Sequence, residues 1–439
     1  MDVQWLRIVV VGHVDHGKST LIGRLLHDSG ALPDPPSGGL GSDLEWALLL
    51  DHLREEREQE RTIDSTQAFF ATSKRVYRII DVPGHREFLK NMVTGAAQAD
   101  AAILVVDVEA GVLEQTRRHV AMLAMLGQRQ VIVTINKMDR VDGRRQAFEI
   151  ASSSTLALLD QMGIVAHRVI PISARHGWNL ASHPPSGGLE WYRGPALFDA
   201  LDSLRPPAPL LHQSLRFPVQ DVYDLNARNG STGILPAEDS TGILPVNRRI
   251  LVGRIESGRL AAEQTVMCLP SGRAARITSV EKFLENRGSA EAGECIGLTL
   301  EEPLESHAGC LPYPPAGVRG DVLCDPSSLP PVARRFEANL FWLSDRGWKQ
   351  GDPLVLRCTT QEAPCRIESI RQRIDSSTFE IIETDAARLD ATEVAHAVLA
   401  VERPIVVEEF TGGSPLGRFV LIKNQELSAG GTITRVLLE

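Results

Sequence analysis

The sequence predicts an α/β domain, with a mostly parallel sheet and helices on both faces, followed by two all-β barrel domains. Three observations carry this prediction. Residues 1–207 alternate short β-branched runs with helix-length segments. Those runs are nearly continuous in apolar residues, as strands buried on both faces must be. After residue 207 the period changes to short strands split by Gly, Pro and Ser, the pattern of a small barrel or sandwich.

In chain order, Arg7–Val11, Tyr77–Ile80, Ala102–Val106 and Gln130–Ile135 read as buried strands, and Gln115 to Leu126 as a helix between two of them. The first of these superficially looks like a signal peptide. It is short, β-branched and followed by no small-residue cleavage site, so it reads as a strand. The run Arg205-Pro-Pro-Ala-Pro209 stiffens the chain and removes backbone donors, which suits a linker. Beyond it, segments 215–223, 249–256, 264–269 and 275–280 read as strands of a second domain, 208–326. A further proline-rich break, Pro326 to Pro331, precedes a third, 332–439, with strand patterns at 335–343 and 417–422.

Two short duplications interrupt this plan. Ser231-Thr-Gly-Ile-Leu-Pro236 recurs as Ser240 to Pro245, and Pro35-Pro-Ser-Gly-Gly-Leu40 recurs as Pro184 to Leu189. Their spacing is too irregular for a solenoid. They read as inserted surface loops, which cost little because loop-closure entropy grows slowly with length.

The composition, 43% hydrophobic and 23% charged, is that of a soluble globular chain. No stretch approaches the ~20 consecutive apolar residues of a membrane span, and a cytoplasmic location is expected. The formal charge of −10 argues against a surface coated for bulk nucleic-acid binding. Six cysteines lie scattered in the second half without a CxxC pair. Thiols so placed point to packing in a reducing compartment instead of zinc or disulfides.

The chemistry sits at the ends of the predicted strands. Gly12-His13-Val14-Asp15-His16-Gly17-Lys18-Ser19, followed by Thr20, fits GxxxxGK[ST] and directly follows the first strand. In such a loop backbone N–H groups and a helix N-terminus converge on phosphates, the lysine neutralises the β and γ oxygens, and the Ser19 hydroxyl binds Mg²⁺. Asp81-Val-Pro-Gly84 follows the second strand; Asp81 can hold a metal-bound water and the Gly84 N–H can meet a γ-phosphate. Asn136-Lys137-Met-Asp139 follows the strand ending at Ile135. The Asp139 carboxylate can accept from both N1–H and the exocyclic amine of guanine, a pairing adenine cannot make. Ser173-Ala174-Arg175 offers a backbone N–H to the guanine oxygen. Each piece alone is weak. Four in order, each at a strand's C-terminal end, fall where ligands bind in doubly wound folds, and they make the ligand GTP.

The set GHVDHGKST, DVPGH, NKMD and SA resembles the translation-factor class of GTPases, typified by elongation factor Tu. The resemblance implies a P-loop G domain followed by two β-barrels. It also implies that His85 orients the attacking water and that Thr62, in Glu58-Gln-Glu-Arg-Thr62, binds Mg²⁺ with Ser19 and Asp81. Glu60-Arg61 stands where the class has Gly-Ile before that threonine. There the isoleucine would form an apolar gate with Val14, and Arg61 cannot close it. Arg61 either pairs with the acidic run Glu55–Glu60 or swings in as an arginine finger.

Further stretches are similar to the large, GTPase subunit of bacterial sulfate adenylyltransferase: Ser19 to Asp28, Leu50 to Gln59, Gly111 to His119, Trp191 to Pro195, Arg216 to Asp221 and Val318 to Asp321. That resemblance implies GTP hydrolysis coupled to adenylyl sulfate formation from ATP and sulfate on a partner small subunit. No second GxxxxGK[ST] is present, so a fused adenylyl-sulfate kinase is not expected. His13 and His16 depart from that family, which usually carries Ser and Asp there. The alternative is a translation-type GTPase acting with tRNA or the ribosome, and predicts RNA binding through basic stretches such as Arg366 to Arg373, itself readable as a solvated strand face. A switch that binds GTP but barely hydrolyses it is the third reading.

Overall fold

The computed structural model describes residues 5–31, 67–81, 99–184, 188–206, 210–224, 249–282, 285–301, 317–411 and 414–437. Both members of the 231/240 duplication, Cys310, and the Leu50 to Gln59 stretch lie outside these residues.

A six-stranded sheet forms the first unit, from β1 (Trp5–Gly12), β2 (Gln67–Ala71), β3 (Val76–Asp81), β4 (Ala101–Asp107), β5 (Val131–Asn136) and β6 (Ala166–Pro171). The order is β2-β3-β1-β4-β5-β6. Among the described strands only the edge strand β2 runs antiparallel, to β3. Among the described residues four helices pack on it: α1 (Lys18–Asp28), α2 (Glu114–Met125), α3 (Arg145–Gln161) and α4 (Leu197–Asp202).

The alternation of side chains along β1 explains the two layers. Leu6, Ile8 and Val10 pack with Leu21, Ile22 and Leu25 of α1 and Leu197 and Leu201 of α4. Val9 and Val11 face the other way, into a cluster with Val120 and Leu123 of α2 and Leu158 and Leu159 of α3. Every residue of β4 and β5 is buried, which is why their sequences carry no polar alternation. Each fully buried Val or Leu contributes about 1.5–3 kcal/mol.

Two barrels follow. The first comprises β7 (Arg216–Asp224), β8 (Arg249–Arg254), β9 (Arg259–Ala261), β10 (Thr265–Leu269), β11 (Arg273–Lys282), β12 (Glu285–Arg287), β13 (Ser289–Glu291), β14 (Cys295–Glu301) and β15 (Val322–Cys324). Its sheet, β10-β15-β7-β8-β14-β11-β12, closes on itself through β10 and β11. The second comprises β16 (Val332–Trp342), β17 (Trp348–Lys349), β18 (Leu354–Cys358), β19 (Gln361–Asp375), β20 (Ile381–Ala386), β21 (Arg388–Leu389), β22 (Glu393–Val406), β23 (Arg418–Lys423) and β24 (Glu426–Leu437). Its sheet, β18-β23-β24-β16-β22-β19-β20, closes through β18 and β19. Closure satisfies the backbone groups that open edges would leave unpaired.

The units share packing. Leu269, Val322 and Cys324 of the first barrel belong to the core of the second. Arg216 is buried and binds Glu408 across that junction at 2.8 Å. Phe341 and Leu343 of the second barrel pack with α2 and α3, and an Arg418 guanidinium N–H donates to the Leu126 carbonyl at the end of α2 at 3.2 Å.

Cys268, Cys324, Cys358 and Cys365 are buried free thiols and Cys295 is an exposed one. Burial pushes the first four up to about 12. Among the described residues no helix is long and apolar enough to cross a membrane.

The stretch Arg366 to Arg373 departs from a simply solvated face. Arg366 pairs with Glu368 at 3.2 Å and Arg371 with Glu337 at 2.6 Å. Arg373 is buried, its guanidinium held by Glu393 at 2.7 Å and Asp390 at 2.6 Å. The alternation of β19 turns this arginine inward, where burial demands carboxylate partners.

Candidate nucleotide site

Strand register assembles the site. Val10 pairs with Asp81, Gly12 with Val105, Asp107 with Asn136, and Ile135 with Pro171. The C-terminal ends of β1, β3, β4, β5 and β6 therefore lie along one rim of the sheet.

At the end of β1 the chain turns through Gly12 to Gly17. Gly17 has φ +87° and caps α1 without a side-chain hydrogen bond, and no acidic residue occupies the first turn. The α1 amides consequently face the loop with no anionic side chain from the helix's own first turn beside them, an arrangement suited to a phosphate. A Cβ on Gly12 would lie 2.3 Å from the Val105 carbonyl oxygen, and one on Gly17 2.5 Å from Asn136 Nδ2. Both positions require glycine for space. The loop also bends at Asp15, which adopts φ +64° and is exposed. Lys18 is buried, and its ammonium donates to the carbonyls of Gly12 at 2.9 Å and His13 at 2.8 Å. Thr20 is buried, while Val14 and Ser19 are half-buried.

The second half of the rim holds the first. Asn136 donates from Nδ2 to the His16 carbonyl at 2.9 Å and accepts the Ala174 N–H at 3.0 Å. One buried amide thus ties the Gly12–Gly17 loop to the segment after β6. Lys137, at φ +64°, binds Asp107 at 2.8 Å and donates to the Asp15 carbonyl. Asp139 accepts the Ser173 hydroxyl at 2.5 Å. Gly17, Asn136, Lys137, Asp139, Arg140 and Arg175 line one pocket. Its carboxylate and its neighbouring backbone N–H groups can read a planar base by hydrogen-bond polarity.

Two participants carry no motif. Burial works against the Asp107 charge, yet the Lys137 ammonium and the Glu109 and Ala110 N–H groups hold the carboxyl below its usual range. The sequence signal was available: an aspartate ending an otherwise apolar buried strand. The other is His119 of α2, whose Nδ1 accepts the Gly12 N–H at 3.1 Å. Its signal was a histidine on the buried stripe of Thr116, Val120 and Leu123.

Histidines surround Lys18. Burial, with Lys18 and its neighbours, lowers His119 to about 3, and burial chiefly lowers His16 to about 4. His13 is also lowered by burial and Lys18. All three are neutral at physiological pH, leaving the lysine as the cation of the loop.

Among the expected residues, Asp81 ends β3, with its side chain outside the description. Thr62, Gly84, His85 and Arg61 lie outside the described residues altogether. Ser19 is thus the one expected metal ligand with a described side chain, and the described residues contain no cluster of three or more His, Cys, Asp or Glu side chains able to hold a metal ion.

A family model described as the elongation factor Tu GTP binding domain matches residues 4–207, and one described as GTP-eEF1A C-terminal domain-like matches 335–434. Elongation factor 1-alpha of Archaeoglobus fulgidus is 35% identical over 431 residues, covering 96% of this chain and 95% of that protein. The chain belongs to the elongation factor Tu/1-alpha family of GTPases. The bifunctional enzyme NodQ of a Rhizobium species is 32% identical over 427 residues, 95% of this chain and 62% of that protein. Sup35 complexed with GDP is similar at 22% identity and a TM-score of 0.42, over 99% of this chain and 95% of that one. As a member of the elongation factor Tu/1-alpha family, the protein uses GTP and Mg²⁺, and the open α1 N-terminus beside buried Lys18 fits the anionic part of that pair.

Proposed function

We propose that the chain is a GTP-hydrolysing switch of the translation type, acting with tRNA or the ribosome. The carrying observation is the relationship to elongation factor 1-alpha along nearly the whole length of both chains. In this reading Gly12 to Thr20 cradle the phosphates and Lys18 balances their charge. Asn136 and Lys137 brace the loop against the base segment. Asp139 reads the guanine edge, and the Ser173, Ala174 and Arg175 segment meets its oxygen. His85 orients the attacking water and Gly84 contacts the γ-phosphate. Ser19, Thr62 and Asp81 would hold Mg²⁺, which would supply neutralisation of phosphate charge. Positioning, more than covalent chemistry, sets the rate.

The internal pairing of Arg366, Arg371 and Arg373 leaves little free charge on that strand, so RNA contact is assigned elsewhere. The test is protection of an aminoacyl-tRNA ester from hydrolysis by the full chain with GTP or GDP. GTP-dependent protection supports the reading, and equal hydrolysis with both nucleotides and without protein overturns it.

A second reading keeps the GTPase and changes the partner: a small subunit of sulfate adenylyltransferase. The Gly111 to His119 and Arg216 to Asp221 stretches favour it, as does the likeness to NodQ. It requires GTP-stimulated adenylyl sulfate synthesis with that subunit, and an absence of stimulation eliminates it. Loss of turnover in His85→Ala would be common to both readings and separates them from a switch that hydrolyses negligibly.

A further inference from the structure

We propose that His119 is a positioning residue for phosphate binding, acting through the peptide of Gly12. Gly12 is the hinge between β1 and the loop, with no room for a Cβ beneath Val105. Its two backbone groups are both engaged by side chains. The N–H donates to His119 Nδ1 at 3.1 Å, and the carbonyl accepts from Lys18 Nζ at 2.9 Å. The N–H belongs to the Val11–Gly12 peptide and the carbonyl to the Gly12–His13 peptide. The two side chains thus grip adjacent peptide planes that meet at the Gly12 Cα, and rotation about that Cα would move the seat of the lysine. His119 opposes that rotation from 107 residues away in sequence.

The contact is directional. An acceptor at Nδ1 means that this nitrogen carries no proton, so the Nε2 nitrogen carries the single proton of the neutral ring. Burial, Lys18, His13, Arg118 and His16 all oppose a second proton. An imidazolium would turn an N–H toward the Gly12 N–H and release the peptide. With the ring 1% exposed, water does not replace it readily, so losing the acceptor orphans a buried donor.

The helix supporting His119 is itself fixed at both sides. Val120 and Leu123 pack beneath the sheet, and Arg418 of the second barrel holds the Leu126 carbonyl just past its end. The imidazole thus has a stationary mount.

The inference rests on the proposed assignment of the Gly12 to Thr20 loop to the phosphates. Affinity of the full-length protein for mant-GDP with Mg²⁺ tests both, alongside melting temperature for each variant. His119→Phe keeps a ring without an acceptor. His119→Asn retains an acceptor at the Nδ1 position, and His119→Gln moves it one atom further out. The expected result is a tenfold to hundredfold weaker Kd for the Phe and Gln variants, with the Asn variant within about threefold of the parent. Equal Kd values in all three, whether unchanged or equally weakened, overturn the role of His119. The Asn–Gln contrast keeps the test decisive where the Phe variant fails to fold. Lys18→Ala is the control: unchanged affinity there overturns the loop assignment itself, whereas its loss beside unaffected His119 variants removes only the inference.

Discussion

Gly17 lies so close to Asn136 that a methyl group on its Cα would sit 2.5 Å from the Asn136 amide nitrogen. The loop and the end of β5 are thus closely packed before any nucleotide arrives. Gly17→Ala would add that clash to the ~1–2 kcal/mol cost of a left-handed conformation at a non-glycine residue. We expect at least a hundredfold loss of GDP affinity with a drop of only a few degrees in melting temperature. Titration calorimetry showing near-parent affinity would contradict the geometry.

Asn136 satisfies the His16 carbonyl and the Ala174 N–H simultaneously. Asn136→Ala leaves both without their partner and should cost about 3 kcal/mol of stability. Asn136→Asp retains an acceptor for Ala174 but loses the donor to His16, and should fall between. Urea midpoints measure the order, and an Ala variant as stable as the parent would rule out the bracing role.

Asp139 accepts from Ser173 while its carboxylate lines the pocket with Asn136 and Arg175. Its proposed second task is accepting two N–H groups of guanine. Asp139→Asn presents an amide donor to the exocyclic amine and should weaken GDP binding by ~10²–10⁴-fold, from two lost charge-assisted bonds. Xanthosine diphosphate carries an oxygen at that position and should bind the variant better than GDP does. A variant with unchanged guanine preference would reassign the base pocket.

The neutral histidines predict an acid limb. His16 and His119 fall from 6.5 to about 4 and about 3 on folding. Between pH 6.5 and 4 the unfolded chain takes up protons that the folded chain refuses. Each histidine should then remove up to about 1.4 kcal/mol of stability per pH unit as the pH falls through that window. Above pH 6.5 neither group contributes a slope. His119→Asn should remove its share of the gradient, and denaturant midpoints from pH 4.5 to 7.5 that change in parallel for parent and variant would count against buried neutral His119.

Much of this was legible in the sequence because the chemistry is local. A strand followed at once by GHVDHGKS or NKMD marks both an element and a candidate site. Strands β1 and β4 extend only a residue or two beyond the apolar runs that announce them, while β5, Val131 to Asn136, is displaced by one. The strand before Ser173 was not announced by a continuous apolar stretch: β6 runs from Ala166 to Pro171, with Arg168 exposed. What stayed hidden was long-range. Nothing near His119 says that its imidazole meets Gly12, and nothing in the alternating arginines of β19 says that Arg373 turns inward to Glu393. Such contacts depend on how helix and barrel dock, which local periodicity does not encode.

The side chain of Gln130 accepts the Arg205 N–H at 2.8 Å and donates to the Arg205 carbonyl at 2.7 Å. It grips the departing chain as a neighbouring strand would, immediately before β5 begins. The consequence is a mechanical one. Tension applied through the barrels enters the sheet at the foot of β5, whose far end presents Asn136. The cable that leads out of the first unit is moored to the same strand that steadies the Gly12–Gly17 loop.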